Sequence, residues 1–286
     1  MWFTLVNSHA IILPMYNEFY KFEENPFNIT ADPDFFFSSS KHAEAYSHLT
    51  YGIKQRKGII VITGEIGTGK TTLCRTLLNK LEDNIKSAFI LNPSFSEIQL
   101  LSLILKDFGI VTKSKNKFAL VTALNEFLIE QSSVGNNVVL IIDEAQNLGI
   151  KQLEQVRLLS NLETEKDKLL QIVLVGQPEL FDKLKDPSLR QLNQRVTVRY
   201  HIMPLNLAEL KQYISHRLNI AAKKAHEEPN LIFTDDAIKA IYKFSDGTPR
   251  MINILCDRAL LAGFTLETRT IDENIIAQCA REVGQK

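Results

Sequence analysis

Between residues 64 and 71 the chain reads Gly64-Glu65-Ile66-Gly67-Thr68-Gly69-Lys70-Thr71, a glycine-rich stretch closed by a lysine and a hydroxyl. A loop of this kind can turn its backbone N–H groups inward, because glycine tolerates positive φ and has no Cβ to keep a ligand away. Inward N–H groups beside a lysine bind anions. The spacing is that of the P-loop (Walker A) pattern, G-x-x-x-x-G-K-[ST], in which Lys70 would supply a point charge to the β- and γ-phosphates and the Thr71 hydroxyl would ligate Mg²⁺. Thr72 is a weaker candidate for the α-phosphate. The bland alternative is a glycine-rich turn that merely ends a strand. Context disfavours it: the β-branched run Ile59–Thr63 precedes the loop and a helix from Lys70 follows, its positive dipole end facing the phosphates.

A second chemical signature is Val138-Val139-Leu140-Ile141-Ile142-Asp143-Glu144, five apolar residues followed by two carboxylates. Burying such a run puts both acids at the carboxyl end of a sheet, where open α/β sheets keep their ligands. There Asp143 would hold Mg²⁺ through its water shell and Glu144 would polarise an attacking water, the Walker B arrangement. A pair of exposed acids capping a strand is the alternative. The two motifs together predict ATP as substrate and Mg²⁺ as cofactor.

The elements that must position these residues are legible as an alternation. Strands are expected at 59–63, 87–92, 138–143, 169–176 and 195–201. Helices are expected after Ser38–Ser40 (Ala43, Tyr46, Leu49, Tyr51 and Ile53 inward, Gly58 closing), at 70–81, at 96–108 (Ile98, Leu101, Leu105 and Phe108 on one side), at 118–131 and at 151–162. Strands alternating with helices imply βαβ crossovers and a parallel sheet sandwiched by helices. After Pro204 the strand signal stops, and 207–222, 235–244, 249–266 and 272–283 read as amphipathic helices. The aromatic, acidic stretch from Met15 to Phe37 reads as extended. The expected organisation is an extension at 1–14, an α/β nucleotide-binding base at 15–205 and an all-helical lid at 206–286.

Composition narrows the class further. With 45% hydrophobic and 23% charged residues over 286 positions, the chain is long enough to bury a sizeable core and is not disorder-like. Twelve glycines and nine prolines are fewer than the roughly 7% and 5% typical, which favours helix-rich layers over a loop-rich sandwich. Lys+Arg and Asp+Glu are equal at 33, so the chain lacks the overall basic balance of a dedicated nucleic-acid binder. Cys74, Cys256 and Cys279 are odd in number and show no CxxC, which predicts reduced thiols in a cytosolic compartment. The six histidines contain no HExxH and read as surface or core residues. Apolar runs of about five residues fall far short of the roughly 18 of a membrane span, and the N-terminal stretch lacks a secretory signal pattern.

The stretches NPFNITADPDFFF, GEIGTGKTT, VVLIIDEAQNL, LEQVRLLSNLETEKDKLLQIVLVGQPEL, LRQLNQRV and GTPRMINILCDRAL together resemble the ExeA/GspA-type AAA+ ATPases of the general secretion pathway. Related ATPase domains occur in pilus-biogenesis and exosortase-linked proteins and, more distantly, in TniB/TnsC transposition regulators. The resemblance runs from about Met15 to Val283. It implies Gln177 as sensor 1 near the γ-phosphate or attacking water, Arg250 as sensor 2 at the start of a lid helix, and Arg195 as an arginine finger offered to a neighbouring subunit, with Arg190 competing. It implies Asn92 as the polar switch residue that contacts the catalytic glutamate. Secretion members carry a membrane span and a peptidoglycan-binding domain beyond the ATPase. This sequence ends at Lys286 with neither, so a stand-alone ATPase and a portion of a longer protein are both open.

Two readings follow. The first is a cytoplasmic AAA+ homo-oligomer, peripheral to the inner membrane through partners, whose ATP cycle drives assembly or remodelling of a secretion or surface-export apparatus. The second is an ATP-gated, DNA-binding regulator of the transposition type. Lys183, Lys185, Arg190, Arg195 and Arg199 speak for the second, and zero net charge speaks against it.

Overall fold

The computed structural model describes residues 16–113, 116–164, 167–222 and 231–284. The expected extension at 1–14 lies outside the described residues. In chain order the elements begin with α1 (Asn17–Tyr20), α2 (Ser40–Lys54), β1 (Ile59–Gly64), α3 (Lys70–Asn79), β2 (Ile85–Ile90), α4 (Glu97–Asp107) and α5 (Lys117–Ser133). Next come β3 (Asn137–Ile142), α6 (Ile150–Leu159), β4 (Gln171–Gly176), α7 (Glu179–Leu184), α8 (Arg190–Arg195) and β5 (Val196–Ile202). The remainder is α9 (Leu207–Ala222), β6 (Ile232–Phe233), α10 (Asp235–Ser245), α11 (Pro249–Thr265), β7 (Thr270–Ile271) and α12 (Glu273–Glu282).

The described residues divide into two compact units, one within 31–203 and a second made of 16–30 with those described from Pro204 onward. The first is an α/β unit whose strands run parallel in the order β2-β3-β4-β1-β5. Central strands β1, β3 and β4 are buried along their whole length, as expected where helices cover both faces of a parallel sheet. Their side chains alternate between two cores. Ile59, Val61, Val138, Leu140, Ile142, Ile172 and Leu174 meet the helices α4 to α8 on one face. Ile60, Ile62, Val139, Ile141, Val173 and Val175 meet α2 and α3 on the other. The expected parallel α/β sandwich is therefore the observed fold.

Several local expectations are corrected. Helix α2 buries His42, Ala45, Leu49, Gly52 and Ile53, leaving Ala43 and Tyr51 exposed, because the face against the sheet is set by Gly52 lying on Ile60. It ends at Lys54 and not at Gly58, with Arg56 taking up the positive φ. In α4 the inward residues are Leu100, Leu101, Ile104 and Leu105, whereas Ile98 is exposed. A capping box between Ser96 and Gln99 fixes that helix's start. Strand β2 begins two residues earlier than expected, where Ile85 pairs with Asn137 at the start of β3.

The second unit packs α9 to α12 together with residues 16–30. Residues 16–30, expected with the base, pack instead with the helical unit. Arg217, buried in α9, explains this: Nε donates to the Pro26 carbonyl, one Nη to the Asn28 carbonyl and the other to the Tyr213 hydroxyl. Tyr20 is fully buried and its hydroxyl donates to the carbonyls of Leu260 and Thr268. This stretch is not wholly extended, since α1 forms one helical turn closed by Lys21 at φ 62. Nor is the unit all-helical: β6 and β7 form a two-residue parallel ladder, too short to carry a periodic sequence signal.

Candidate nucleotide site

Strand β1 runs into the glycine-rich loop at Gly64, and α3 starts at Lys70. Gly67 and Gly69 adopt φ of 79° and 90°, the left-handed region that a Cβ disfavours. Gly64 is needed for a different reason. A Cβ there would lie 2.8 Å from Thr68 Oγ1 and 2.9 Å from the Ile202 carbonyl oxygen. Glu65 and Ile66 are exposed at the loop tip, while the Thr68 hydroxyl donates back to the Glu65 carbonyl at 2.8 Å.

Lys70 is buried and its Nζ donates to the Gly64 and Glu65 carbonyls, each at 2.8 Å. Burial lowers its pKa, opposed by the nearby carboxylates of Glu144, Asp143 and Glu65. The Thr71 hydroxyl donates to Asp143 Oδ2 at 2.5 Å, and the Glu144 N–H donates to Asp143 Oδ1 at 2.9 Å. Burial raises the Asp143 pKa, while those two hydrogen bonds pull it down. A buried ammonium, a buried carboxylate and the hydroxyl bonded to that carboxylate thus converge where β1 and β3 end. Thr72, one residue further along α3, is partly buried.

This donor set fits a nucleotide with its metal. The lysine is held by carbonyls it can exchange for phosphate oxygens, the loop presents two left-handed glycines, and Thr71 and Asp143 are hard oxygen ligands of the kind Mg²⁺ takes.

Glu144 sits at φ 53, a left-handed conformation uncommon for a residue with a Cβ. Two amides meet its carboxylate: Gln146 Nε2 donates to Oε2, and Gln177 Nε2 lies 3.4 Å from the same oxygen. Gln146 Oε1 in turn accepts the Gln177 main-chain N–H at 3.0 Å. Gln177 follows β4, so these residues join the ends of two adjacent strands. Lys183 of α7 completes the arrangement, its Nζ donating to the carbonyls of Gln146 and Leu148 at 2.5 and 2.8 Å. Neither Gln146 nor Lys183 was singled out for the site from the sequence. The one available signal for Gln146 was its position two residues after Glu144.

Asn92 has φ 46, and its Oδ1 accepts from Asn147 Nδ2 at 3.1 Å and Ser94 Oγ at 3.2 Å, so the amides on Glu144 come from Gln146 and Gln177 instead. Arg190 opens α8 and is exposed, and Arg195 closes it half-buried. Arg250, the second residue of α11, is exposed in the helical unit.

Residues 53–184, which include both motifs, match the AAA domain family. The chain belongs to the AAA+ family. It is 42% identical over 271 residues to General secretion pathway protein A of Aeromonas hydrophila, a match covering 94% of this chain and 49% of that protein. This AAA+ chain therefore spans about half the length of that relative. In fold it is similar to Cdc6p from Pyrobaculum aerophilum (TM-score 0.67, 19% identity, covering 88% of this chain and 71% of that one). It is also similar to the Aeropyrum pernix ORC2 protein in its ADPNP–ADP complexes (TM-score 0.63, 15% identity, 86% and 67% covered). Among the described residues of this AAA+ chain, no helix is long and apolar enough to cross a membrane.

Proposed function

We propose that this chain binds and hydrolyses ATP as a homo-oligomer and uses the cycle to assemble or remodel a secretion or surface-export apparatus. It would do so on the cytoplasmic side, at the inner membrane through partners. The observation that carries the hydrolytic part is the convergence of Lys70, Thr71, Asp143 and Glu144 at one sheet edge. The similarity to General secretion pathway protein A carries the choice of pathway.

In this reading the inward N–H groups of residues 64–69 and the Lys70 ammonium bind the phosphates. Thr71 and Asp143 would hold Mg²⁺, which when bound neutralises charge on the β- and γ-phosphate oxygens. Glu144 accepts the proton of the attacking water, and Gln177 orients that water or the γ-phosphate. Arg195, with Arg190 as its competitor, acts as a finger on a neighbouring subunit's nucleotide, a contribution of about 10³–10⁵ in rate in GTPases. Arg250 serves as sensor 2. The roles of Gln177, Arg195, Arg190 and Arg250 rest on the family resemblance.

The DNA-bound alternative loses part of its support. Of the basic residues counted for it, Lys183 donates to two carbonyls, Lys185 pairs with Asp182 at 2.7 Å and Arg199 donates to Asn193. Steady-state ATPase measured against protein concentration, with and without duplex DNA at two salt concentrations, tests the proposal. Specific activity that rises with concentration, is indifferent to DNA and is lost in Lys70→Ala and Arg195→Ala supports it. Activity flat with concentration overturns the finger in trans, and strong salt-sensitive stimulation by DNA favours the regulator.

A further inference from the structure

The carbonyl of Thr68 points away from the loop, into the helix that precedes β1. His42 of α2 meets it there: ring Nε2 lies 2.8 Å from the Thr68 carbonyl oxygen, and Nδ1 lies 2.7 Å from the hydroxyl of Ser39. Ser39 is the N-cap of α2 and its oxygen also accepts the His42 main-chain N–H at 3.3 Å. A hydroxyl has one proton to give. The Thr68 carbonyl oxygen can only accept, so Nε2 carries the ring proton facing it and Nδ1 accepts the proton of the Ser39 hydroxyl. The imidazole is 4% exposed, and Phe36 packs edge-on against it at 5.6 Å between ring centres.

A carbonyl held this way also fixes the amide beside it. In a planar trans peptide the C=O of residue 68 and the N–H of residue 69 point in opposite directions. Anchoring the Thr68 oxygen on His42 therefore aims the Gly69 N–H away from α2, toward the side on which phosphates bind. Gly69 reads the same constraint in its shape. It has φ +90, and a Cβ at this position would lie 3.1 Å from His42 Nε2. Loop and imidazole are built against each other.

We propose that His42 is a positioning residue of the phosphate site, setting the Thr68–Gly69 peptide so that the Gly69 N–H is available to a bound nucleotide before it arrives. The inference rests on the nucleotide reading above and adds α2 to the machinery of that site. A loop without this anchor would spend binding free energy on turning the peptide, so affinity falls in addition to the stability lost with the buried hydrogen bond.

The test is calorimetric titration of the full chain with ADP and Mg²⁺, comparing wild type, His42→Leu, His42→Gln and Lys70→Ala. Leucine fills the space without a donor, and the glutamine amide places an N–H near the position of Nε2. His42→Leu is expected to weaken ADP about ten-fold or more and to lower the melting point by a few degrees while still folding, with His42→Gln returning to within about three-fold of wild-type affinity. Wild-type affinity in a folded His42→Leu protein overturns the proposal, and so does equal weakening in both variants. Nitrogen-15 NMR of the wild-type imidazole supplies a readout independent of any variant: an Nδ1–H tautomer overturns the proposal, and an Nε2–H tautomer is the expected result. Failure of the nucleotide reading itself looks different, because wild type would then bind ADP no better than Lys70→Ala.

Discussion

Gln146 Oε1 accepts the main-chain N–H of Gln177 at 3.0 Å while the same side chain's amide donates to Glu144. The end of β4 and the carboxylate after β3 are thereby joined through one side chain. Any displacement of Gln177 toward a ligand is felt at Glu144. Gly176 makes room for this bridge, since a Cβ there would lie 2.7 Å from Gln146 Oε1. Gln146→Ala and Gly176→Ala are both expected to lower ATP turnover about ten-fold or more while ADP affinity changes little. Steady-state kinetics beside calorimetric titration checks the split, and a loss of affinity equal to the loss of turnover would refute it. Glu144→Gln should fall further, by about 10²–10⁴, as expected for removal of a general base.

Asp143 has its pKa raised by burial. A carboxyl whose folded pKa lies above its unfolded value makes the native state the better proton binder. Its contribution to stability is then neutral below the ordinary carboxylate value of about 3.9 and becomes unfavourable as pH rises through the raised one. Asp143→Asn should therefore melt higher than wild type at neutral pH without nucleotide, by a few degrees for about 1 kcal/mol. The difference should shrink as pH falls through that window, and Mg²⁺-dependent tightening of ADP should be lost. Melting curves across pH 4–8 would contradict this if the gap widened on acidification.

Gly247 has φ +70, and a Cβ on it would sit 1.9 Å from the Leu205 carbonyl oxygen, a backbone atom that cannot swing aside. The Leu205 N–H also donates to the Gly247 carbonyl at 2.9 Å. Gly247→Ala is expected to destabilise the helical unit by about 3 kcal/mol, combining strain at positive φ with overpacking. Hydrogen exchange should show lost protection in α10 and α11, and unchanged protection there would rule the steric account out.

Arg217 satisfies the carbonyls of Pro26 and Asn28 from inside the helical unit. Arg217→Met leaves those oxygens without their charged donor and is expected to cost about 2–4 kcal/mol. Arg217→Lys should rescue little, because a single ammonium does not reproduce a planar fork reaching separate acceptors. Limited proteolysis reports the outcome as faster cleavage within residues 16–30; equal cleavage rates in wild type and Arg217→Met would count against the clamp.

What was legible before folding depended on distance along the chain. The P-loop spans eight consecutive residues between a strand and a helix, and Asp143 and Glu144 follow directly on five apolar positions. Burial of those runs is enough to place them at a sheet edge, because a strand buried on both faces has one carboxyl end. Helix faces were harder. Tyr51 and Ile98 fit an apolar period yet lie exposed, since the face that turns inward is chosen by whatever packs against it, such as Ile60 under Gly52.

The sequence by itself determined the chemistry on offer: a glycine-rich anion loop, an ammonium, a hydroxyl and two carboxylates, each defined by residue type and by neighbours a few positions away. The tertiary structure decided which groups hold that chemistry in place. The strand order β2-β3-β4-β1-β5 brings Gln177 beside Glu144 across 33 residues, and the packing of α2 brings His42 to Thr68 across 26. The clamp of Arg217 on Pro26 spans 191. Such partners carry no spacing rule, because a hydrogen bond between distant residues depends on how intervening elements pack and leaves no period in the chain that joins them.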